Sequence, residues 1–162
     1  MTIERTGMSR RRLLTTAAVG VPAMGVLGAV NLLGAPAAKA SRLPVDGVWG
    51  WGTSRALEYF LGHVVFPGAN LNDGGRIRSQ PSSWSSANSG LTSGWEWVPD
   101  RWAIGSSTID LMQYWLGVGR DGLIGPATIR ALQAHYGKVV DGVLDEGSPT
   151  IAALQAEINR YI

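Results

Sequence analysis

The sequence predicts an all-α fold, a small helical bundle of duplicated turn-helix repeats with an irregular insertion rich in Trp, Gly and Ser. One observation behind this prediction is a segment at 121–133 that runs from a tight turn straight into a helix and recurs elsewhere in the chain. A second is a series of apolar stripes at helical spacing. A third is the shortness of the connecting loops, because short loops make neighbouring helices pack together as a bundle.

The segment at 121–133 reads Asp-Gly-Leu-Ile-Gly-Pro-Ala-Thr-Ile-Arg-Ala-Leu-Gln. Asp121 and Gly122 form a turn dipeptide, because Asp can hydrogen-bond the backbone ahead of it and Gly accepts a positive φ without strain. Pro126 stands at the first helical position, where a missing N–H is tolerated best. The apolar stripe that follows consists of Ile129, Leu132 and Tyr136. These signals predict a helix over 126–136.

The same pattern occurs at three further places in the chain. A shift of 75 positions aligns the segment 46–57 with the one just described, and Asp, two Gly, Thr, Arg, Ala and Leu coincide. A third copy starts at Asp141, and a faint fourth copy starts at Asp73. Such internal repetition indicates a repeated structural unit. It predicts two more helices, over 53–61 and 149–160.

The pattern Asp-Gly-x-x-Gly-Pro-x-Thr-x-x-Ala-Leu-Gln resembles the core motif of the peptidoglycan-binding domain that stands beside bacterial cell-wall hydrolases. It is most similar to the tandem form in secreted actinobacterial and phage lysins. The resemblance covers 45–62 and 106–160. It implies an all-helical module that binds the glycan and peptide of the cell wall, without catalysis of its own and without a cofactor. The implied partners are peptidoglycan and, as a further candidate, a separate cell-wall hydrolase.

The segment 1–40 has the features of an export signal. Arg10 and Arg11 belong to a run that resembles the twin-arginine consensus, and an apolar stretch and a small-x-small site ending at Ala40 follow. We expect export by the twin-arginine route, cleavage after Ala40, and a protein secreted to the cell wall with no stable membrane insertion. The alternative is an uncleaved membrane anchor, which the Gly and Pro residues of the apolar stretch disfavour.

The remainder, 41–162, is expected to form one peptidoglycan-binding-like domain with repeat one at 41–104 and repeat two at 105–162. It contains nine Lys and Arg against eleven Asp and Glu, so its formal charge is near −2, whereas the whole chain carries +2. A nucleic-acid binder needs a basic face that neutralises phosphates. The sequence therefore gives no support for a nucleic-acid partner. Cysteine is absent, which excludes a disulfide framework.

The stretch 63–104 differs in composition from the repeats, being rich in Gly, Ser, Asn and Pro and containing four of the seven Trp residues. We interpret it as a degenerate second half of repeat one, formed of loop or short strands with one irregular helix near 82–90. The next segment opens with Ser107-Thr-Ile-Asp110, which resembles a capping box and predicts a helix over 107–116.

The candidate ligand surface is a groove between the helices. Arg55 and Arg130 occupy the same helix position in two repeats, and a guanidinium can bind a stem-peptide carboxylate through two hydrogen bonds. A solvated helix face is an equally good interpretation of both. Trp51 stands where the family pattern has Pro, which indicates either extra packing or a platform for sugar stacking. The predicted lining residues are Trp49, Trp51, Arg55, Trp115, Arg130, Gln133 and Tyr136.

Two alternatives to non-catalytic binding remain open. One is a small glycan-cleaving muralytic enzyme using Glu96, since Trp95-Glu96-Trp97 and Asp100 supply carboxylates and aromatic walls. The alternation in this stretch, however, is also typical of a half-buried strand. The other alternative is a structural or interaction protein that kept the repeat without the ligand. The two histidines of the chain stand in no zinc-binding pattern, so no metal site is predicted.

Replacing both Arg10 and Arg11 by Lys tests the export prediction. This change keeps the positive charge but removes the guanidinium pair, so we expect precursor to accumulate in the cytoplasm. Cell fractionation with an antibody to the protein measures the distribution, and Arg12→Lys is the control outside the pair. Undiminished export of the double variant would contradict the prediction.

Overall fold

The structure, a computed structural model, describes residues 42–162 and contains four α-helices and a two-stranded parallel sheet. The helices are α1 Trp51–Tyr59, continued by a π-helix Phe60–Val65, α2 Ser107–Leu116, α3 Pro126–His135 and α4 Pro149–Ile158. The strands are β1 Ile77–Pro81 and β2 Trp95–Val98, followed by single 3-10 turns Ser82–Trp84 and Asp100–Trp102. The export signal expected over 1–40 lies outside the described residues.

The prediction of an all-α fold is wrong, because the segment 76–105, called here the inserted segment, contains the parallel sheet. Ile77 pairs with Trp95 and Gln80 pairs with Trp97. The fold is therefore a small mixed α/β fold. The physical reason is that this segment runs through the interior, where its backbone N–H and C=O groups need partners and a plain loop would leave them unpaired. Of the irregular helix expected near 82–90, only the 3-10 turn is present.

Local signals explain where α2, α3 and α4 begin and where α2 ends. Pro126 and Pro149 occupy the first positions of α3 and α4, as predicted for residues without an N–H donor. Ser106 caps α2 by accepting the N–H of Thr108, so the cap lies one residue earlier than the predicted capping box. Gly117 ends α2 in the left-handed conformation, with a φ of 70°.

All four helices share a buried pattern of two residue pairs. The first pair is Thr and the residue after it, and the second pair, about one turn later, is an apolar residue followed by Gln or Glu. The sets are Thr53, Ser54, Leu57 and Glu58; Thr108, Ile109, Met112 and Gln113; Thr128, Ile129, Leu132 and Gln133; and Thr150, Ile151, Leu154 and Gln155. This spacing puts each set on one helix face. The helix α2 is therefore a fourth copy of the repeat helix, separated from its Asp73 turn by the inserted segment.

The Gln of one helix holds the Asp-Gly turn that precedes the next helix. The Oε1 atom of Gln113 accepts the N–H groups of Asp121 and Gly122 at 2.9 and 2.8 Å. Its Nε2 atom donates to Asp121 Oδ1 at 2.6 Å and to Thr128 Oγ1, in α3, at 2.9 Å. A primary amide supplies the acceptor and the donors that this set of contacts needs. One side chain thus fastens both the turn and the following helix to α2.

The same contact recurs at the next two turns. Gln133 of α3 donates to Asp141 Oδ1, in the turn before α4, at 2.6 Å. Gln155 of α4 donates to Asp46 Oδ1 at 2.9 Å and to Thr53 Oγ1 at 3.1 Å. Since Thr53 belongs to α1, the helix α4 holds the turn that precedes α1.

The link between α1 and α2 uses a carboxylate instead of an amide. Glu58 accepts the N–H of Gly75, in the Asp73 turn, at 2.9 Å, and the hydroxyl of Thr108 at 3.4 Å. Four links therefore join the four helices into a closed ring. Among residues 42–162, every buried side-chain nitrogen and oxygen has a hydrogen-bond partner, as a stable interior requires.

The inserted segment passes between the turns of the ring and completes the core. Gly90 accepts the N–H of Trp49 at 2.7 Å and donates its own N–H to Leu144 O at 2.8 Å. The side chain of Gln80 accepts the N–H of Ile124 at 2.8 Å. Trp49, Ile124 and Leu144 are the buried apolar residues of three different turns. The inserted segment therefore belongs to the core and contacts each of these turns.

No helix within residues 42–162 is long and apolar enough to cross a membrane.

Leu132→Ala tests the packing of the α3 stripe. The Leu132 side chain is fully buried in the core, so we expect the unfolding free energy to fall by about 2–5 kcal/mol through lost burial and the cavity left behind. Denaturant unfolding measures it. Arg130→Ala, at an exposed position of the same helix, is the control and should change the unfolding free energy by no more than about 0.5 kcal/mol. A loss below about 1 kcal/mol for Leu132→Ala would mean that this face is not part of the core.

The turn carboxylates should make the fold sensitive to acid. The N–H of the residue two positions ahead, followed by the Gln side-chain amide, lowers the pKa of Asp46 and of Asp141 below the ordinary value of 3.8. Both carboxylates therefore stabilise the fold above pH 3.8, and this contribution is lost as the pH falls through their lowered pKa values. We expect the double variant Asp46→Asn, Asp141→Asn to lose less stability between pH 4 and pH 2 than the parent protein. Urea titrations across this pH range measure it, and equal pH dependence in both proteins would contradict the assignment.

Candidate functional site

Two of the predicted ligand residues are interior residues of the ring. Gln133 is 3% exposed, and its amide is occupied by the Asp141 turn. Trp49 is fully buried, donates its indole N–H to Ser54 Oγ at 2.9 Å, and packs edge-on against Trp95. The indole N–H of Trp49 and the amide of Gln133 are thus already engaged inside the ring, although Gln133 also lines a cleft of about 420 Å³ beside the Asp141 turn.

Trp115 and Tyr136 come together at another place, where α2, α3 and α4 end. The Trp115 ring lies 4.6 Å from that of His135, and the Tyr136 hydroxyl donates to Glu157 at 2.5 Å. Burial, and secondarily Glu157, raise the pKa of Tyr136 far above its ordinary value. Both predicted residues are half-buried, and their contacts serve the packing of the helix ends.

Arg130 is exposed, but it lies beside the turn that follows its own helix. A Cβ built on Gly142 would lie 3.1 Å from Arg130 Nε, and the charge of Arg130 helps to lower the pKa of Asp141. Arg55 in turn borders Gly75, in the turn that follows α1. The two arginines thus hold equivalent positions beside different turns, so they do not form one binding surface.

The exposed face of α1 and of the π-helix that continues it carries the other two predicted residues together with two that the sequence did not single out. Trp51, Arg55, Tyr59 and His63 follow one another at intervals of four residues and are all exposed, Trp51 by 46% and Tyr59 by 45%. The Tyr59 and His63 rings stack at 4.3 Å with an angle of 14° between their planes. We call this set the α1 stripe. It presents aromatic rings and a guanidinium side by side on the surface.

A polar cleft of about 440 Å³ opens on one side of the α1 stripe. It is lined by Arg55, Glu58, Tyr59 and His63 from the helix and by the loop 68–74, which includes two Asn residues. An apolar cleft of about 590 Å³ lies on the other side and is lined by Leu43, Gly52, Arg55, Ala56, Tyr59, Tyr161 and Ile162. Arg55 and Tyr59 line both clefts, so they stand on the ridge between them.

Glu58 is the buried charged group of the polar cleft, with an exposed fraction of only 6%. Burial raises the pKa of Glu58, and the nearby charge of Asp73 acts in the same direction. The N–H of Gly75, the hydroxyl of Thr108 and the charge of Arg55 act against this rise. The cleft therefore combines a poorly solvated carboxyl group with an exposed guanidinium.

Glu96, the candidate acid of the enzyme alternative, forms a hydrogen bond with the backbone of the inserted segment. Its carboxylate accepts the N–H of Ser79, a residue with a φ of 53°, at 3.1 Å. Trp95 and Trp97 stack on each other with ring centres 5.6 Å apart, as the alternation predicts for two side chains of one strand face. Asp100 accepts the N–H of Ser83 at 3.1 Å. Both carboxylates thus hold the backbone of the inserted segment.

Within the described part of the chain, no three His, Cys, Asp or Glu side chains are grouped closely enough to hold a metal ion.

The sequence contained a signal for the residues that were missed. The shift of 75 positions sets Glu58 against Gln133, so a carboxylate replaces an amide at a repeated position. Tyr59 and His63 continue the four-residue spacing that Trp51 and Arg55 begin. This spacing continues beyond the end of the motif, and it indicates that the four side chains lie on one face of a helix.

The comparisons with known proteins assign no family to the chain. No protein-family model, no curated protein and no solved structure matches it. The likeness to peptidoglycan-binding domains therefore depends on the repeated motif alone.

Proposed function

We propose that this protein is a secreted, non-catalytic peptidoglycan-binding protein and that it binds its ligand through the α1 stripe and the polar cleft. The observation that carries the proposal is the position of Arg55, an exposed guanidinium between two exposed aromatic rings, in a copy of the motif that resembles the peptidoglycan-binding pattern. Export by the twin-arginine route would bring such a protein to the cell wall.

The chemistry of the α1 stripe suits the two parts of peptidoglycan. The exposed faces of Trp51 and Tyr59 can stack on sugar rings, since a sugar ring has an apolar face that packs well on an aromatic side chain. Arg55 makes no salt bridge with any residue of 42–162, so its guanidinium can bind a stem-peptide carboxylate through two hydrogen bonds. Glycan and peptide can thus be bound side by side.

A binding role fits the described residues better than catalysis by Glu96. The carboxylate of Glu96 is engaged with the backbone of Ser79, and this residue lines neither of the two clefts beside α1. A glycan-cleaving acid has to reach the oxygen of the bond that breaks. Release of soluble muropeptides from purified cell-wall sacculi would nevertheless support the enzyme alternative, whereas pelleting without release supports binding.

Arg55→Ala and Arg130→Ala form a matched pair for locating the ligand surface. Both remove an exposed guanidinium at the same position of a repeat helix, but only Arg55 belongs to the α1 stripe. Loss of one charge-assisted contact costs about 1.5–3 kcal/mol, so we expect Arg55→Ala to weaken sacculus binding roughly tenfold to hundredfold. Arg130→Ala should bind like the parent protein. Pelleting isotherms beside thermal melts measure affinity and stability for each variant.

Tyr59→Ala extends this test to the aromatic rings and should weaken binding with little change in the melt, because Tyr59 is exposed. Equal losses for Arg55→Ala and Arg130→Ala would move the ligand surface away from the α1 stripe. If neither variant loses affinity, binding through these arginines is refuted.

A further inference from the structure

Glu58 is the exception in the ring of turn-holding side chains. The equivalent residues Gln113, Gln133 and Gln155 each donate an amide N–H to the Asp carboxylate of the turn ahead. A carboxylate accepts hydrogen bonds but, when ionised, donates none. Glu58 therefore cannot bind Asp73 in the way that the three amides bind their aspartates.

The Asp73 turn has a different geometry as a result. Asp73 accepts a hydrogen bond from the Ser107 hydroxyl at 2.7 Å and lies 3.6 Å from Arg78 Nε. Glu58 takes the N–H of Gly75 instead of a contact with Asp73, because two carboxylates repel each other. This departure occurs next to the polar cleft, which the loop before the turn helps to form.

We expect a carboxylate to hold this turn less firmly than an amide would. Burying a carboxyl group is unfavourable unless its charge is compensated, and the raised pKa of Glu58 reflects that burial. A glutamine would avoid this penalty and could donate to Thr108 as Gln113 does to Thr128. A carboxylate in the wall of a cleft, at a position that holds an amide in the other three repeats, indicates a role for Glu58 other than holding the turn.

Opposite charges face the polar cleft without forming an ion pair. Arg55 and Glu58 are three residues apart on α1, a spacing that places their Cβ atoms roughly 5–6 Å from each other. The charge of Arg55 reaches Glu58 and lowers its pKa, yet the two make no salt bridge. A ligand that carries an ammonium group and a carboxylate on the same carbon can bind one to each residue.

We propose that the polar cleft binds the zwitterionic end of an amino acid, with the ammonium group on Glu58 and the carboxylate on Arg55. This inference depends on the proposed function, since a diamino diacid such as the meso-diaminopimelate of stem peptides carries such an end. Asn70 and Asn72, which also line the cleft, supply further polar groups, and the Tyr59 ring offers an apolar wall for the rest of the side chain.

Glu58→Gln separates ligand binding from stability. The change supplies the amide present in the other three repeats, so the thermal midpoint of the full chain should rise. Loss of the negative charge should weaken binding of meso-diaminopimelate at least tenfold, about the effect of one charged hydrogen bond. Titration followed by NMR chemical shifts or calorimetry measures the affinity. A higher midpoint together with weaker binding is the expected result, and a merely structural role for Glu58 would change only the midpoint.

Gln113→Glu is the matched control, because it makes the opposite exchange at the equivalent position of α2, away from the polar cleft. It should lower the thermal midpoint and leave the affinity of the folded protein for meso-diaminopimelate unchanged. The N,N′-diacetyl derivative of meso-diaminopimelate keeps both carboxylates and lacks both ammonium charges. The parent protein should bind it at least tenfold more weakly than meso-diaminopimelate, and Glu58→Gln should bind the two compounds with similar affinity.

Two results would overturn the inference. One is equal affinity of the parent protein for meso-diaminopimelate and its diacetyl derivative. The other is a Glu58→Gln variant that still prefers meso-diaminopimelate as strongly as the parent protein does. Sacculus pelleting distinguishes this failure from failure of the proposed function. Pelleting that persists without ammonium preference refutes the zwitterion site alone. Glu58-dependent binding of meso-diaminopimelate without pelleting supports the site and refutes attachment to the cell wall.

Discussion

The hydrogen bonds from one helix to the turn of the next are the interaction on which the rest of this fold depends. Each amide fixes the acceptor and donor groups of a turn that would otherwise be left unpaired inside the protein, where an unpaired polar group costs about 1–3 kcal/mol. Because Gln155 holds the turn at Asp46, the ring closes only when the two ends of the described chain meet. The core between the helices is therefore organised by polar contacts at its edge as well as by apolar burial.

The inserted segment supplies the interior of the ring with both apolar side chains and backbone partners. Trp95 and Ile77 add to the core, while Gly90 passes so close to the turn before α4 that a Cβ would lie 2.4 Å from a backbone oxygen. Only glycine fits at such an approach. A stretch that resembles a surface loop in composition is thus a central part of the structure, and its strands form because interior backbone groups need partners.

The helices could be predicted from the sequence because their signals are local. Proline at the first position and a stripe of apolar residues depend on neighbours within one or two turns. The sheet could not be predicted in this way, since the pairing of Ile77 with Trp95 joins residues far apart in the chain. Of the residues predicted to line the ligand surface, Trp51 and Arg55 lie on the exposed α1 stripe, whereas Gln133 is buried because its amide holds the Asp141 turn. A repeated motif shows which residues recur in the sequence, but it does not show which of them are buried when the ring of helices forms.

The meeting of the two ends of the described chain has a consequence for the order of the repeats. Leu43 and Asn159 exchange two hydrogen bonds, of 2.8 and 2.9 Å, so the start of the domain lies directly against its last helix. In a closed ring with adjacent ends, the helices can keep the same arrangement even if the chain starts and ends at another point of the ring. A circular permutant, joined there by a short linker and opened in the exposed loop between α3 and α4, would retain every helix-to-turn link except those cut with the loop. The domain is in this sense a cycle of four units, and the positions of the chain ends determine only where the cycle is interrupted.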